Sequence, residues 1–254
     1  MKKNVYITFI LSIVGLVLMS FAVQTKKSAK DIVNEAYYNQ RSDAFTMELS
    51  MEVIRPKWTR ELNFKTWSFG KDYGLMSIQG PAKDKGTNFL RIKSEGWNWI
   101  PSIERVIKIS PSQMSQSWMG SDFTNEDLLK EASIVNDYTH RSLGTENLNG
   151  TICYKIQADP KENAAVVWGK VLLWIGKDDM FQRKAEYYDE TGKLINTLTQ
   201  KDFKLLDGKK IATTLEMKPA EKSGYKTLVK ISSADFHSDL SADFFSISNM
   251  KKLK

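Results

Sequence analysis

A mainly β fold, folded as a single curved antiparallel sheet, is what this sequence predicts, and three observations carry the prediction. Phe45, Met47, Leu49, Met51 and Val53 alternate with Thr46, Glu48, Ser50 and Glu52, the period of a half-buried strand. Short apolar segments then recur along the chain, separated by hairpin residues such as Gly176-Lys177-Asp178-Asp179, Glu190-Thr191-Gly192 and Asp207-Gly208. No fixed repeat and no Pro- or Gly-rich linker divides them, so one domain over 23–254 is expected.

The elements follow in order. Residues 1–22 read as a signal peptide: Lys2 and Lys3 precede an apolar run, and Ser20-Phe21-Ala22 sets small residues before a cut after Ala22. The competing reading is an uncleaved membrane anchor, because the run is nearly long enough to span. Ser28 and Asp31 then form a capping-box pattern. Ile32, Val33, Ala36 and Tyr37 fall on one face of the helix it opens.

The alternating strand from Ala44 comes next. Trp58, Arg60, Leu62 and Phe64 share one phase of a second strand, and the slip to Trp67 and Phe69 predicts a bulge near Lys65-Thr66. Further strands are read at 73–78, 87–93, 103–109, 151–157, 166–175, 181–188, 194–203, 210–218 and 225–233. About eleven antiparallel strands make a meander, which tends to curl into a partial or closed barrel.

Between strands lies a different kind of segment. Ser110, Pro111 and Gln113 have the spacing of a helix start, Met114 and Trp118 lie at i and i+4, and Gly120 ends the turn. Thr124 to Asp127 opens a second short helix that carries Leu128 and Leu129. Two short amphipathic helices inserted into a curled sheet, over 111–131, are placed to cover its mouth. Asp122 is expected to organise the turn between them by bonding backbone N–H groups, with a partner or ligand contact as the alternative.

Chemistry is weakly signalled. The only histidines, His140 and His237, have no second His or Cys at ligand spacing, and Cys153 is alone, so neither a disulfide within the chain nor a multi-cysteine metal site can form. No nucleophile elbow, phosphate loop, dinucleotide fingerprint or zinc-protease motif is present. The acid pairs Asp178-Asp179 and Asp189-Glu190 fall in turns, where solvated carboxylates are expected. We therefore expect no catalytic residue, no metal and no cofactor, and expect the protein not to be an enzyme. Without Lys2 and Lys3 the chain carries 35 basic and 30 acidic residues, a net charge of +5. The lysines are dispersed, so nucleic acid is not an expected partner.

Apolar and aromatic residues stand out instead. Seven Trp and ten Met are present, and many cluster around residues 97–123. A curved sheet with few helices leaves concave apolar area unfilled, and such a hollow is a ligand cavity. The candidate lining and cover residues are Trp58, Arg60, Phe89, Trp97, Trp99, Met114, Trp118, Met119 and Phe123. Methionine adapts its shape to flexible chains. Arg60 lies in an apolar phase and so needs a partner: a backbone carbonyl of the cover, a polar ligand head, or water reached by snorkelling.

Trp97-x-Trp99-x-Pro101, Arg105 and the run Ser117-Trp118-Met119-Gly120-Ser121-Asp122-Phe123 carry a family resemblance. The chain resembles a divergent branch of the LolA-like family of outer-membrane lipoprotein-sorting proteins. The resemblance implies an incomplete antiparallel barrel closed by helices, holding acyl chains of lipoproteins or lipids in its cavity. It implies a periplasmic carrier working towards the outer membrane, with an inner-membrane exporter and an outer-membrane acceptor as partners. Arg60 after Pro56 matches only loosely the lid-contacting Arg of the better-known branch. A lipid- or lipoprotein-binding sensor that signals through a protein contact is the alternative.

Overall fold

The computed structural model describes residues 27–130 and 133–253, so the signal segment expected over 1–22 lies outside the described residues. Helix α1 (Ala29–Asn39) begins as its sequence dictates. Ser28 accepts the Asp31 N–H and Asp31 answers the Ser28 N–H, and Ile32, Val33 and Ala36 are buried.

Thirteen antiparallel strands then form one sheet. The first six are β1 (Ala44–Arg55), β2 (Trp58–Phe69), β3 (Tyr73–Gly80), β4 (Asn88–Ile92), β5 (Glu95–Ile100) and β6 (Arg105–Lys108). The other seven are β7 (Tyr138–Leu148), β8 (Thr151–Pro160), β9 (Lys170–Gly176), β10 (Gln182–Tyr188), β11 (Leu194–Leu206), β12 (Lys209–Pro219) and β13 (Lys226–Asp235). The sheet is curved and open, an incomplete barrel. Two strands escape the sequence reading. β5 contains the Trp97/Trp99 pair that reads as site residues. β7 is an edge strand whose residues are almost all exposed or half-buried, so it carries no apolar alternation.

The strand order explains the cover. β1 to β6 step outward one way, and β7 to β13 step back from the far edge until β13 pairs with β1. β6 and β7 are thus opposite edges of the sheet, and the chain joining them must cross from edge to edge. That crossing holds a 3-10 turn (Pro111–Gln113), a second (Trp118–Gly120), and the helices α2 (Asn125–Leu129) and α3 (Ser133–Asn136).

The helix expected from Ser110 is therefore only a turn, although its Ser110/Gln113 capping box forms. Ser117 instead bridges Thr124 as an antiparallel pair, and Met119 takes a left-handed conformation (φ +52°) followed by Gly120 (φ +75°). Those two residues reverse the chain where a helix would have continued. α2 starts at Thr124 as expected, with Asp127 completing its capping box.

No bulge falls at Lys65-Thr66 itself; the nearest irregularity of β2 is against β3 at Asn63/Phe64, where Gln79 of β3 is the extra residue. β1 and β2 stay in register from Ala44 opposite Phe69 to Arg55 opposite Trp58. The slip marks a change in which face is greasy. Phe64 pairs with Ile78, and Met76 with Phe89, on the face beneath the cover. Trp67, Leu75, Leu90 and Trp97 pair in a row across β2 to β5 on the opposite face. That second face is covered by the C-terminal segment, with a 3-10 turn (Ala242–Phe244) and helix α4 (Ile247–Met250). Asn88 fixes it by donating to the Met250 and Leu253 carbonyls at 2.6 and 3.1 Å. Cys153 is fully buried in β8, and burial pushes its thiol pKa up. Among the described residues no helix is long and apolar enough to cross a membrane.

Candidate functional site: a roofed apolar cavity

Between the sheet and the crossing segment lies a cavity of about 380 Å³, a size in the usual range of roughly 300–1,000 Å³ for ligand pockets. Leu49, Met51 and Phe64 line it from the first half of the sheet, and Leu173, Leu198 and Met217 from the second. Val33, Ala36 and Tyr37 of α1 close one side, and Trp118, Phe123 and Leu128 form the roof. These side chains meet because strand alternation puts each apolar set on the inner face, and the curve turns that face towards itself.

The roof is seated by packing. Trp118 is buried, with its ring 5.5 Å from Phe64 and 6.4 Å from Phe89. Leu129 is buried directly over Gly96 of β5, where a Cβ would stand 2.4 Å from its methyl carbon. It is also seated by polar bolts. Asp122 receives Arg55 Nη1 at 3.0 Å and the Thr227 hydroxyl at 2.7 Å. Arg55 Nη2 also donates to the Gly120 carbonyl, and Asn196 to the Asp122 carbonyl. The Asp122 carboxylate thus ties the roof to β1 and β13 rather than organising its own turn. That work falls to the Ser121 hydroxyl, which accepts the Phe123 N–H at 3.2 Å.

The cavity lining carries two sets of polar residues, and Gln40, Arg41, Gln182 and Gln200 make up one of them, with Gln40 Nε2 donating to Gln200 Oε1 at 3.1 Å. Glu126, Asp127 and Lys130 of the crossing segment form the other, beside Tyr138, Trp168 and Tyr187. Glu126 Oε2 accepts the Val167 N–H at 2.6 Å. Burial raises the Glu126 and Asp127 carboxyls above their ordinary values. The Tyr187 phenol is pushed well above its ordinary value for the same reason. His140 rests on the Ile134 carbonyl at 2.7 Å, with burial lowering its pKa. Among the described residues no group of three His, Cys, Asp or Glu could hold a metal.

Of the nine residues singled out from the sequence, Trp118 and Phe123 line the cavity. Phe89 and Met114 pack behind the roof with Leu129, and Met119 packs beside Trp118. Arg60 donates to Asp84 Oδ1 at 2.8 Å and to the Met119 carbonyl of the cover at 3.4 Å, so its partners are internal. Trp97 and Trp99 do not line the cavity: their register puts them opposite Leu90 and Asn88, on the face packed by the C-terminal segment. Trp58 is 52 % exposed at the rim, 5.8 Å from the Arg55 guanidinium.

The sequence reading passed over α1 and the β9–β12 half of the lining, although the alternation in those strands carried the signal. Glu126 and Asp127 sat unnoticed in the α2 capping pattern.

The fold is thus an open half-barrel with a roofed apolar hollow. Residues 70–252 match the model of an uncharacterized protein-like family. The chain belongs to that family. A crystal structure of a DUF1329 family protein from Desulfovibrio piger superposes with a TM-score of 0.81 at 26% identity, covering 87% of this chain and 97% of that one. A putative outer membrane lipoprotein-sorting protein domain from Vibrio parahaemolyticus gives 0.80 at 24% identity, over 88% and 98% of the two chains. A LolA superfamily protein from Nitrosomonas europaea gives 0.75 at 24% identity, over 88% and 99%. The comparison with curated proteins found no match.

Proposed function

We propose that this protein is a periplasmic carrier that holds acyl chains of lipoproteins or lipids in the roofed cavity and moves them towards the outer membrane. One observation carries the reading. The inner face of the sheet turns more apolar surface inward than the roof and α1 fill, leaving a hollow of about 380 Å³. Each CH₂ taken from water gains about 0.8 kcal/mol, so a 16-carbon chain gains roughly 12 kcal/mol gross. Such a gain needs an apolar container and no chemistry, in keeping with a binding protein rather than an enzyme. The similarity in fold to a lipoprotein-sorting domain supports the same reading.

Residues 1–22 serve as a cleaved signal peptide in this proposal, and 23–254 as the binding domain. An inner-membrane exporter would load the cargo and an outer-membrane acceptor would take it. Trp118 and Phe123 are the roof residues expected to touch the chain. Purification without detergent, followed by solvent extraction and mass spectrometry, tests the proposal. Co-purifying acylated molecules are expected. Protein that stays empty and fails to bind a fluorescent fatty acid would overturn it.

A further inference from the structure

The polar atoms around Glu126 leave one oxygen over. Glu126 is 3 % exposed, and its Oε2 is engaged by the Val167 N–H. Its Oε1 is buried and has no hydrogen-bond donor among the described residues. Lys130 Nζ forms an ion pair with it at 3.6 Å, too long for a hydrogen bond, and donates its hydrogen bond to the Ala165 carbonyl.

The neighbours are occupied. Asp127 Oδ2 takes the Thr124 N–H and hydroxyl at 2.7 and 2.9 Å, and its Oδ1 faces Trp168 Nε1 at 3.3 Å. The Tyr138 hydroxyl donates to the Trp168 carbonyl. A second unpaired group belongs to the same roof: Trp118 Nε1, buried and without an acceptor among the described residues. Both residues line the cavity. Buried polar groups left unpaired are uncommon, and two on the wall of one hollow call for a partner that enters it.

We propose that Glu126 and Trp118 form a head-group subsite that takes a single-chain amphiphile whose head donates hydrogen bonds. Glu126 Oε1 accepts from a hydroxyl or amine of that head, and Trp118 Nε1 donates to an ester or amide carbonyl at the root of the chain. A free fatty acid suits the place badly. Its carboxylate supplies no donor, and it would add a third carboxylate beside Glu126 and Asp127. The subsite deepens the acyl-carrier reading and rests on it, because the chain must occupy the apolar hollow for its head to reach Glu126.

Displacement of a fluorescent acyl probe at neutral pH by 1-monododecanoylglycerol, dodecylamine and dodecanoate tests the subsite. The glyceride and the amine are expected to bind at least about tenfold more tightly than dodecanoate. The isosteric Glu126→Gln, which keeps an acceptor for Val167, is expected to shrink that ratio to about threefold or less while dodecanoate binds as well or better. Equal or tighter binding of dodecanoate by the wild type overturns the subsite and leaves the acyl cavity standing. So does an unchanged ratio in a folded Glu126→Gln protein. Failure of all three ligands to bind overturns the cavity reading and the subsite together. The wild-type comparison decides the matter alone if the variant does not fold.

Discussion

Arg55 Nη1 lies 3.0 Å from Asp122 Oδ2, and both side chains are more than nine-tenths buried. One residue ends β1 and the other sits in the roof, so this pair joins the two halves of the cavity wall. Thr227 of β13 and Asn196 of β11 bind the same roof residue. The roof is thus bolted to three strands through Asp122.

Breaking that pair from one side leaves the other charge stranded. Asp122→Ala is expected to lower stability by about 3–5 kcal/mol, the usual loss when one partner of a buried ion pair is removed. The roof should loosen before the sheet does. Limited proteolysis is expected to cut first within residues 111–130, and hydrogen exchange there should rise while β11 and β12 stay protected. Uniform loss of protection across the sheet would show that Asp122 serves the fold rather than the roof.

Trp118 and the Trp97/Trp99 pair separate cavity from scaffold. Trp118→Ala is expected to weaken a fluorescent fatty acid by about tenfold or more, since the ring forms part of the roof and its loss removes buried contact worth a few kcal/mol. Trp97→Phe and Trp99→Phe should leave affinity unchanged, because both side chains lie on the opposite face. A titration of all three variants checks this. Equal losses in all three would place the ligand elsewhere.

Gly96 sets the seat of α2. A Cβ there would stand 2.4 Å from Leu129 Cδ2, closer than atoms can pack. Gly96→Ala is expected to push α2 off β5 at an overpacking penalty of about 1–3 kcal/mol. Thermal melting is the measure, and about 2–4 °C per kcal/mol is expected for a chain of this size. Leu129→Ala in the same background should recover part of the loss by making room.

Glu126 gives a pH signature. Burial raises its carboxyl above the ordinary 4.5, opposed by the Val167 N–H and Lys130 and reinforced by Asp127. The folded state therefore holds this proton more tightly than the unfolded chain does. That contribution to stability is full below pH 4.5 and is lost as pH rises through the raised value. Glu126→Gln removes the charge and keeps the shape. The variant is expected to be more stable than wild type near pH 7, by about 1 kcal/mol, and to lose the advantage below about pH 4.5. Melting curves across that range check the sign. A Gln variant less stable at pH 7 would mean that the Lys130 contact outweighs burial.

Much of this fold was legible because its signals are local. The β1 alternation, the Asp207-Gly208 turn with positive φ at both residues, and the Ser28 and Thr124 capping boxes are all as the chain spells them. β7 was not legible: an exposed edge strand has no buried face to write a pattern. The Trp67/Phe69 slip was legible as a signal, but its cause was not. A bulge and a second covered face leave the same mark in a sequence.

The candidate site divides the same way. Trp118 and Phe123 could be found from composition and position, whereas Trp97 and Trp99 carried equal apolar weight and packed elsewhere. By itself the sequence determined the element types, the turns, the single curved sheet and the existence of a roof segment, since each rests on neighbours a few residues apart. Only the tertiary structure decided which face each tryptophan joined, that Asp122 meets Arg55, and that Glu126 reaches the cavity. Those outcomes depend on strand register and on the crossing from β6 to β7, which bring together residues far apart along the chain.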